Sequence, residues 1–366
     1  MKKAISLVLA AALCAGVLAG CGQSQSSSAA GTSSGSQAAA DGSKELNLFT
    51  WVGMFPDEVI SDFEAETGIK VNYSNFDTDE TMLQKLSQAK GGDYDLVIAD
   101  DYIIETAIAQ GLVAELDTSK LENWGNINPV YQGQFYDPEN AYTVPYGAGV
   151  QTIVYNPAVV DVEIKGYADL WNAALEDNLA VIGNYRVING MALKVMGESY
   201  NTEDTATIQA AGQKLLELAP NIRLIKDDNT QDDLISGEVG AAVMYTSQVT
   251  MAKLADPSLE VVFPEEGIGL GIMAQFIPSN APHADAAYAF IDYILRPEVS
   301  KACFEYMGYY CTNQAADELI ADEYKEFLTL PEGFDDDNTE MIQPISAEAE
   351  EAHVQVWTEF KNACGQ

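Results

Sequence analysis

ELNLFTWVGMFPDEVISDFEAETGIKVNYSNFDTDETMLQKLSQAKGGDYDLVIADDYIIETAIAQG, residues 45–111, decides the fold. Glu45 to Trp51 reads as a strand with Leu46 and Leu48 on one face, since alternate strand side chains point the same way. Asp57 to Thr67 sets Val59, Ile60 and Phe63 at helical spacing and stops at Gly68, the residue type that best tolerates a left-handed helix end. Ile69 to Tyr73 alternates again as a strand. Asp77 or Thr78 caps a helix bearing Met82, Leu83 and Leu86. Tyr94 to Ala99 is a short apolar run, the pattern of a buried parallel strand, and Tyr102 to Gln110 is helical before Gly111. This βαβα order predicts an α/β protein with helices on both faces of its sheet.

Working outward, the same succession of patterns resumes in Ala180–Gly183, in Ala192–Gly197, in the helix Ala206–Leu218 and in Gly240–Tyr245. His283 to Leu295 is an Ala-rich amphipathic helix ended by Arg296-Pro297. No internal repeat is present. Residues 44–366 suffice for two lobes with separate cores. Val144-Pro145-Tyr146-Gly147 and the glycine-rich Gly267 to Gly271 are the two candidate crossings between them. Two crossings make a hinge, and the cleft between hinged lobes is where small ligands sit. The expected division is 44–148 plus 269–318 for one lobe and 149–268 plus 319–366 for the other.

The first residues place that body outside the cytoplasm. Lys2 and Lys3 precede an apolar run from Ala4 to Ala19, which leads into Leu18-Ala19-Gly20-Cys21. Positive region, apolar region and small residues are the layout of a secretory signal, here residues 1–20. The run is short of the ~20 apolar residues that span a bilayer. Cys21 after Leu-Ala-Gly is similar to a bacterial lipobox, in which the cysteine is lipidated and becomes the new N-terminus. The stretch up to residue 43 is nearly all Ser, Gly, Ala and Gln, with no large apolar residue to offset the entropy of ordering. It reads as a tether at the outer face of the cell membrane.

The charge balance, 18 basic against 56 acidic residues, excludes nucleic acid as a partner and weakly favours cationic ligands. After Cys21 only Cys303, Cys311 and Cys364 remain in the body. The odd number leaves at least one unpaired within the chain, and a Cys303–Cys311 bridge is open. Their spacing matches no zinc pattern and neither histidine lies beside them, so no metal is expected. His283 opens a helix that looks solvated and His353 sits in an acidic C-terminal helix, so neither reads as a general base. There is no nucleophile elbow, His-Glu-x-x-His site or phosphate loop, and Gly267-x-Gly269 lacks a third glycine. An enzyme and a cofactor are therefore not expected.

From about Leu46 to Phe360 the chain resembles the polyamine-type (spermidine/putrescine) solute-binding proteins of ABC transporters. The segments that carry the resemblance are Glu66-Thr67-Gly68-Ile69-Lys70-Val71, Asp79-Glu80-Thr81-Met82, Tyr94-Asp95-Leu96-Val97 and Val144-Pro145-Tyr146. Further matches are Ala168-Asp169-Leu170-Trp171, Gly237-Glu238-Val239, Leu295-Arg296-Pro297-Glu298-Val299 and Gly308-Tyr309. The resemblance implies the two-lobed periplasmic-binding-protein fold of type II, each lobe a mixed sheet flanked by helices. It implies a monomer that passes a small ligand to a membrane permease and a separate ATPase.

For the site, the resemblance implies stacking by Trp51 and Tyr102, with Tyr245 where the family often has Trp. It also matches Tyr309 to a family Tyr and puts Gln343 near a family Gln. The acids depart from the pattern. The family's acid-x-Arg-acid reads Asn184-Tyr185-Arg186-Val187, the acid before the last crossing is Met273, and Gln248 stands where some members carry another. Asp100-Asp101 replaces small hydroxyl residues, and either holds an ammonium or caps the helix starting at Tyr102. Arg186, without acidic neighbours, contacts an anionic group or pairs with a remote acid. A polyamine leads as ligand. A quaternary amine, an amino-containing metabolite or a thiamine-like molecule fits the same aromatics, and a sensor or surface lipoprotein without transport fits the same fold.

Overall fold

The computed structural model describes residues 44–226, 229–328 and 339–365; the expected signal and tether lie outside them. The described residues form β1 (Glu45–Thr50), β2 (Lys70–Asn75), β3 (Leu96–Asp100), β4 (Thr143–Tyr155), β5 (Leu179–Val181) and β6 (Ile222–Ile225). Then come β7 (Ala241–Tyr245), β8 (Glu260–Val262), β9 (Ile268–Phe276), β10 (Tyr310–Cys311) and β11 (Thr339–Met341). The strands pair in the order β2-β1-β3-β9-β4-β7-β5-β6, with β8 and β10 on β4 and β11 on β9. β1, β2 and β3 run parallel, and β9 enters antiparallel between β3 and β4. On the far side β5 is parallel to β6 and β7, while β7 and β8 are antiparallel to β4. Two mixed sheets thus share one long strand.

Local chemistry explains the opening units. The helix Asp57–Thr67 has the expected range, and Gly68, at φ 71°, turns its N–H back to Glu64 O. Thr78 caps Asp79–Gln88 by accepting the Thr81 N–H on its hydroxyl. The helix after β3 begins at Asp101 and ends at Ala109.

Each sheet is buried on both faces. In the first half Leu46, Leu48, Leu96 and Ile98 lie under Phe63, Phe290 and Phe304. Phe49, Val97 and Phe276 face Met82, Leu86 and Ile104 on the other side. In the second half Ile153, Val181 and Val243 meet Ile188, Leu215 and Phe360, while Val154, Ala242 and Met244 meet Leu234 and Ala252. Burying a side chain of this size contributes about 1.5–3 kcal/mol, so the four layers hold the sheets without further devices.

The structure departs from the sequence reading in four places. Ala192–Gly197 is no separate element but closes the helix Tyr185–Val195, whose residues 186–193 are all buried. Buried Arg186 and Asn189 and the mid-helix Gly190 interrupt the apolar pattern by which the run would be read as a helix. Its Gly190 is required by a close approach, since a Cβ there would lie 2.0 Å from the Tyr200 ring. Ile320 and Leu328 pack in the first core, although the expected boundary put residues 319–366 with the other half. His353 is fully buried, and Asn189 Nδ2 lies 3.1 Å from its Nδ1. His283 is half-buried rather than solvated, held by Asp95, which accepts its backbone N–H at 2.6 Å. Cys303, Cys311 and Cys364 are free thiols.

The expected crossings are β4 and β9. β4 pairs with β9 from Thr143 to Val150 and with β7 from Gln151 to Tyr155, so Gly149, opposite Gly271, marks the passage. Leu328 belongs to the first core and Ala349 to the second, so the chain passes between them once more. A Cβ on Gly149 would meet the Tyr309 ring at 2.8 Å and Thr246 Oγ1 at 3.1 Å, whereas one on Gly271 would meet nothing within 4 Å. Gly149→Ala is therefore expected to lower the unfolding free energy by about 1–3 kcal/mol in urea titration, as overpacking does. Gly271→Ala is expected to stay within about 0.5 kcal/mol of the wild type. Equal losses at both positions would remove the packing argument.

Candidate ligand-binding cleft

Parallel strands place the N-termini of the following helices at their carboxyl ends, which is where α/β proteins gather ligand groups. Trp51 follows β1, Asp79 and Glu80 open the helix after β2, and Asp100, Asp101 and Tyr102 close β3. In the second half Asn184 follows β5 and Tyr245 ends β7. Met273 on β9 sits in register with Asp100 on one side and Gly147 on the other.

The first wall is acidic. Asp100 N–H lies 3.5 Å from Asp79 Oδ1, and the two carboxyls hydrogen-bond each other. Burial, and then the charge of Asp100, drive the Asp79 carboxyl well above the usual range. Burial raises Asp100 to about 6 and Asp101 to about 8, the latter helped by Asp100. Asp101 is spent on structure, since its oxygens accept the N–H groups of Tyr102 at 2.7 Å and Ile272 at 2.9 Å. It thereby ties the start of its helix to β9, while Asp100 makes no side-chain cap. The Tyr102 hydroxyl donates to Glu80 Oε1 at 3.2 Å. Trp51 stacks edge-on to Phe76, ring centroids 4.4 Å apart. Tyr309 lies over Gly149 at the crossing, hydrogen-bonds Ser247, and feels the charge of Asp100.

The second wall carries no unengaged carboxylate among the groups around Asn184. Asn184 Oδ1 caps its helix by accepting the Arg186 and Val187 N–H groups. The Arg186 guanidinium donates from one terminal nitrogen to Tyr200 O at 3.3 Å, Asn201 Oδ1 at 3.4 Å and Gln343 O at 3.2 Å. Its other terminal nitrogen stands 3.9 Å from Glu350, which also accepts from the Tyr185 hydroxyl. Gln248 Oε1 accepts the Tyr245 N–H, and exposed Gln343 is held by its backbone on Asn201. The walls sense each other: Asp79, Asp100, Glu80 and Tyr185 all bear on the Tyr102 hydroxyl, and Glu80 on that of Tyr185.

Asp100 and Met273 thus stand side by side in register, and Tyr309 reaches Ser247, which lies between Thr246 and Gln248 at the start of the helix after β7. Asn184 and Gln343 meet around Arg186, and Trp51 stands at its strand end against Phe76. Sequence reasoning used Asp79 and Glu80 as a motif without giving them a role, and passed over Tyr185. Their common signal is position, one residue or two past a parallel strand or its cap. An open surface hollow of about 610 Å³ lies elsewhere, lined by Val59, Asp62 and Tyr293 and bridged by the Arg296–Glu66 ion pair.

The family described as bacterial extracellular solute-binding protein matches residues 58–331. The chain is 34% identical, over 81% of its length and 85% of the relative's, to the spermidine/putrescine-binding periplasmic protein of Escherichia coli. This chain is a polyamine-type bacterial extracellular solute-binding protein. In structure the binding protein is similar to a spermidine/putrescine ABC transporter substrate-binding protein from Streptococcus pneumoniae, with TM-score 0.78 and 30% identity over 88% of this chain and all of that one. A putative spermidine/putrescine ABC transporter from Listeria monocytogenes gives TM-score 0.80 and 30% identity over 87% and 99%. Its fold is accordingly the two-lobed one of type II periplasmic binding proteins.

The raised carboxyls give this binding protein a pH signature. Unfolded Asp100 ionises near the ordinary 3.8, while the folded group keeps its proton to about 6. Its stabilising contribution is full below 3.8 and is lost as pH rises through about 6. His353, held neutral to about 4 by burial and the charge of Arg186, contributes in the opposite sense, full above 6.5 and lost as pH falls through about 4. Asp100→Asn should therefore gain about 1–3 kcal/mol on the wild type between pH 4 and 8, read as melting temperature. A difference independent of pH would contradict the burial of this carboxyl.

Proposed function

We propose that this chain is the lipid-anchored, extracytoplasmic binding subunit of an ABC importer, taking up a polyamine or a related cationic amine and passing it to a permease. One observation carries the reading: the carboxyl ends of β3 and β7 both meet the β4–β9 pair, Asp100 opposite Met273 and Tyr245 opposite Gln151. An ammonium bound by Asp100 and Glu80 gains about 1.5–3 kcal/mol per charge-assisted hydrogen bond. An aromatic face such as Trp51 or Tyr102 adds about 0.5–2 kcal/mol to a cation. Ligand rests on the first wall and is covered by Tyr245 and Asn184 as the lobes close about Gly149 and Gly271. The lobes of this mechanism are residues 44–148 with 269–328, and 149–268 with 339–365. Closure makes a composite surface for the permease, and a separate ATPase supplies the energy.

The names of the curated relatives support the polyamine, and the lipobox-like Leu18-Ala19-Gly20-Cys21 supports the anchor. Two acyl chains hold a protein stably where one binds only marginally. Ligand at a hundred times its dissociation constant adds about 2.7 kcal/mol of stability. Spermidine or putrescine is thus expected to raise the melting temperature by a few degrees, and Trp51→Ala to abolish the rise. An amine panel that leaves the melt unmoved would refute the reading. Cys21→Ala is expected to move the protein from the membrane fraction to the medium or periplasm; retention on the membrane would remove the anchor.

A further inference from the structure

We infer that Asp79 and Asp100 form an ammonium subsite in which the proton shared by the pair is exchanged for the ligand, so that each amine bound releases one proton. The inference rests on the amine-binding reading above and names the atoms that receive the cation. Strand register places the pair. Asp100 ends β3 opposite Met273, which is paired in turn with Gly147, two residues before the Gly149 crossing. Asp100 is half-buried there, while Asp79, the first residue of the helix after β2, is 2% exposed. Asp79 Oδ1 lies 3.5 Å from the Asp100 backbone nitrogen, and the two carboxyls are in hydrogen-bond contact. Two ionised carboxylates have no donor between them, so such a contact holds a proton.

The described surroundings supply no cation to replace that proton. Glu80 is the other charge bearing on both carboxyls, and it is negative. Asp101 spends its oxygens on the N–H groups of Tyr102 and Ile272. Tyr102 donates its hydroxyl to Glu80, Tyr309 is hydrogen-bonded to Ser247, and Tyr185 donates to Glu350. Lys85, on the same helix as Asp79, lies over the Phe49 ring. A second observation points to a ligand. Thr50, one position past the Phe49–Val97 pair, and Gln275, opposite Ile98, lie on the sheet face that Asp100 and Met273 share by alternation. Both are fully buried, yet Thr50 Oγ1 and both amide atoms of Gln275 have no partner. An ammonium brings three donors, enough for the two carboxylates and one of these acceptors, whereas a proton serves the pair alone. The entering nitrogen keeps its protons and the Asp79 O–H proton leaves to solvent, so one positive charge enters and one departs.

The test is titration calorimetry of the full chain with putrescine and spermidine near neutral pH, run in phosphate and in Tris. The two buffers take up protons with different heats, so the pair of titrations counts the protons exchanged. The wild type is expected to release about one proton per amine and to gain about tenfold in affinity per pH unit near pH 7. Asp79→Asn is expected to bind more weakly, to release no proton and to show an affinity flat with pH. A purely structural role for Asp79 would lower the affinity and leave the proton count as it was. Should Asp79→Asn fail to fold, the wild-type infrared difference spectrum decides, in which putrescine is expected to remove one protonated-carboxyl stretching band. Binding without proton exchange, or a release that persists in folded Asp79→Asn, overturns the inference and leaves the amine-binding reading intact. No binding of either amine overturns both.

Discussion

The antiparallel pairing of β4 with β9 is the constraint on which the rest depends. β9 fills the slot between β3 and β4, and β4 then runs on to pair with β7 and β8, so one ladder carries the chain between two cores. Side chains near the passage must be small or absent, because Tyr309 crosses over Gly149 and Met273 over Gly147. The close approach makes these glycines necessary, and it brings Tyr309, just after the helix Pro297–Met307, over the ladder. The middle of the ladder thus carries little bulk, with Gly147 and Gly149 on β4 and Gly269 and Gly271 on β9.

From that ladder outward, the parallel order of β1–β3 and of β5–β7 directs successive helix N-termini toward the cleft. Acids collect there on one side only. Within the first half the cost of crowding Asp79, Asp100 and Asp101 is met in two ways. Asp101 accepts two backbone N–H groups and binds its helix to β9, while Asp79 and Asp100 share hydrogen bonding and are both raised by burial above the usual carboxylate range. In the second half Glu340 pairs with Lys194, and Glu350 accepts the Tyr185 hydroxyl while standing 3.9 Å from Arg186. The cleft is therefore polarised, a property that neither wall has alone.

Legibility in the sequence followed burial. Residues 45–111 could be read nearly to the residue, because their helices are amphipathic and carry clear boundary signals, Gly68 ending the first and Thr78 capping the start of the second. The helix Tyr185–Val195 could not, since buried Arg186 and Asn189 and a mid-helix Gly190 interrupt its apolar pattern. Ile320 and Leu328 went to the wrong half for a related reason: nothing in a local pattern says which of two apolar cores a segment joins. For the candidate site the sequence offered positions at strand ends and a family likeness, but not interactions. Asp100 and Asp101 are neighbours of identical chemistry, yet one is committed to the backbone of Ile272, which lies 171 residues away.

By itself the sequence determined the class of fold, the order of its first units, the glycine crossings and the family, because these rest on local periodicity and on short motifs. Only the tertiary structure decided which acids are already engaged, that His353 is buried against Asn189, and that Arg186 is anchored on the carbonyls of Tyr200 and Gln343. Charge and hydrogen-bonding capacity belong to residues, but whether they are free to meet a ligand depends on partners brought together across the chain.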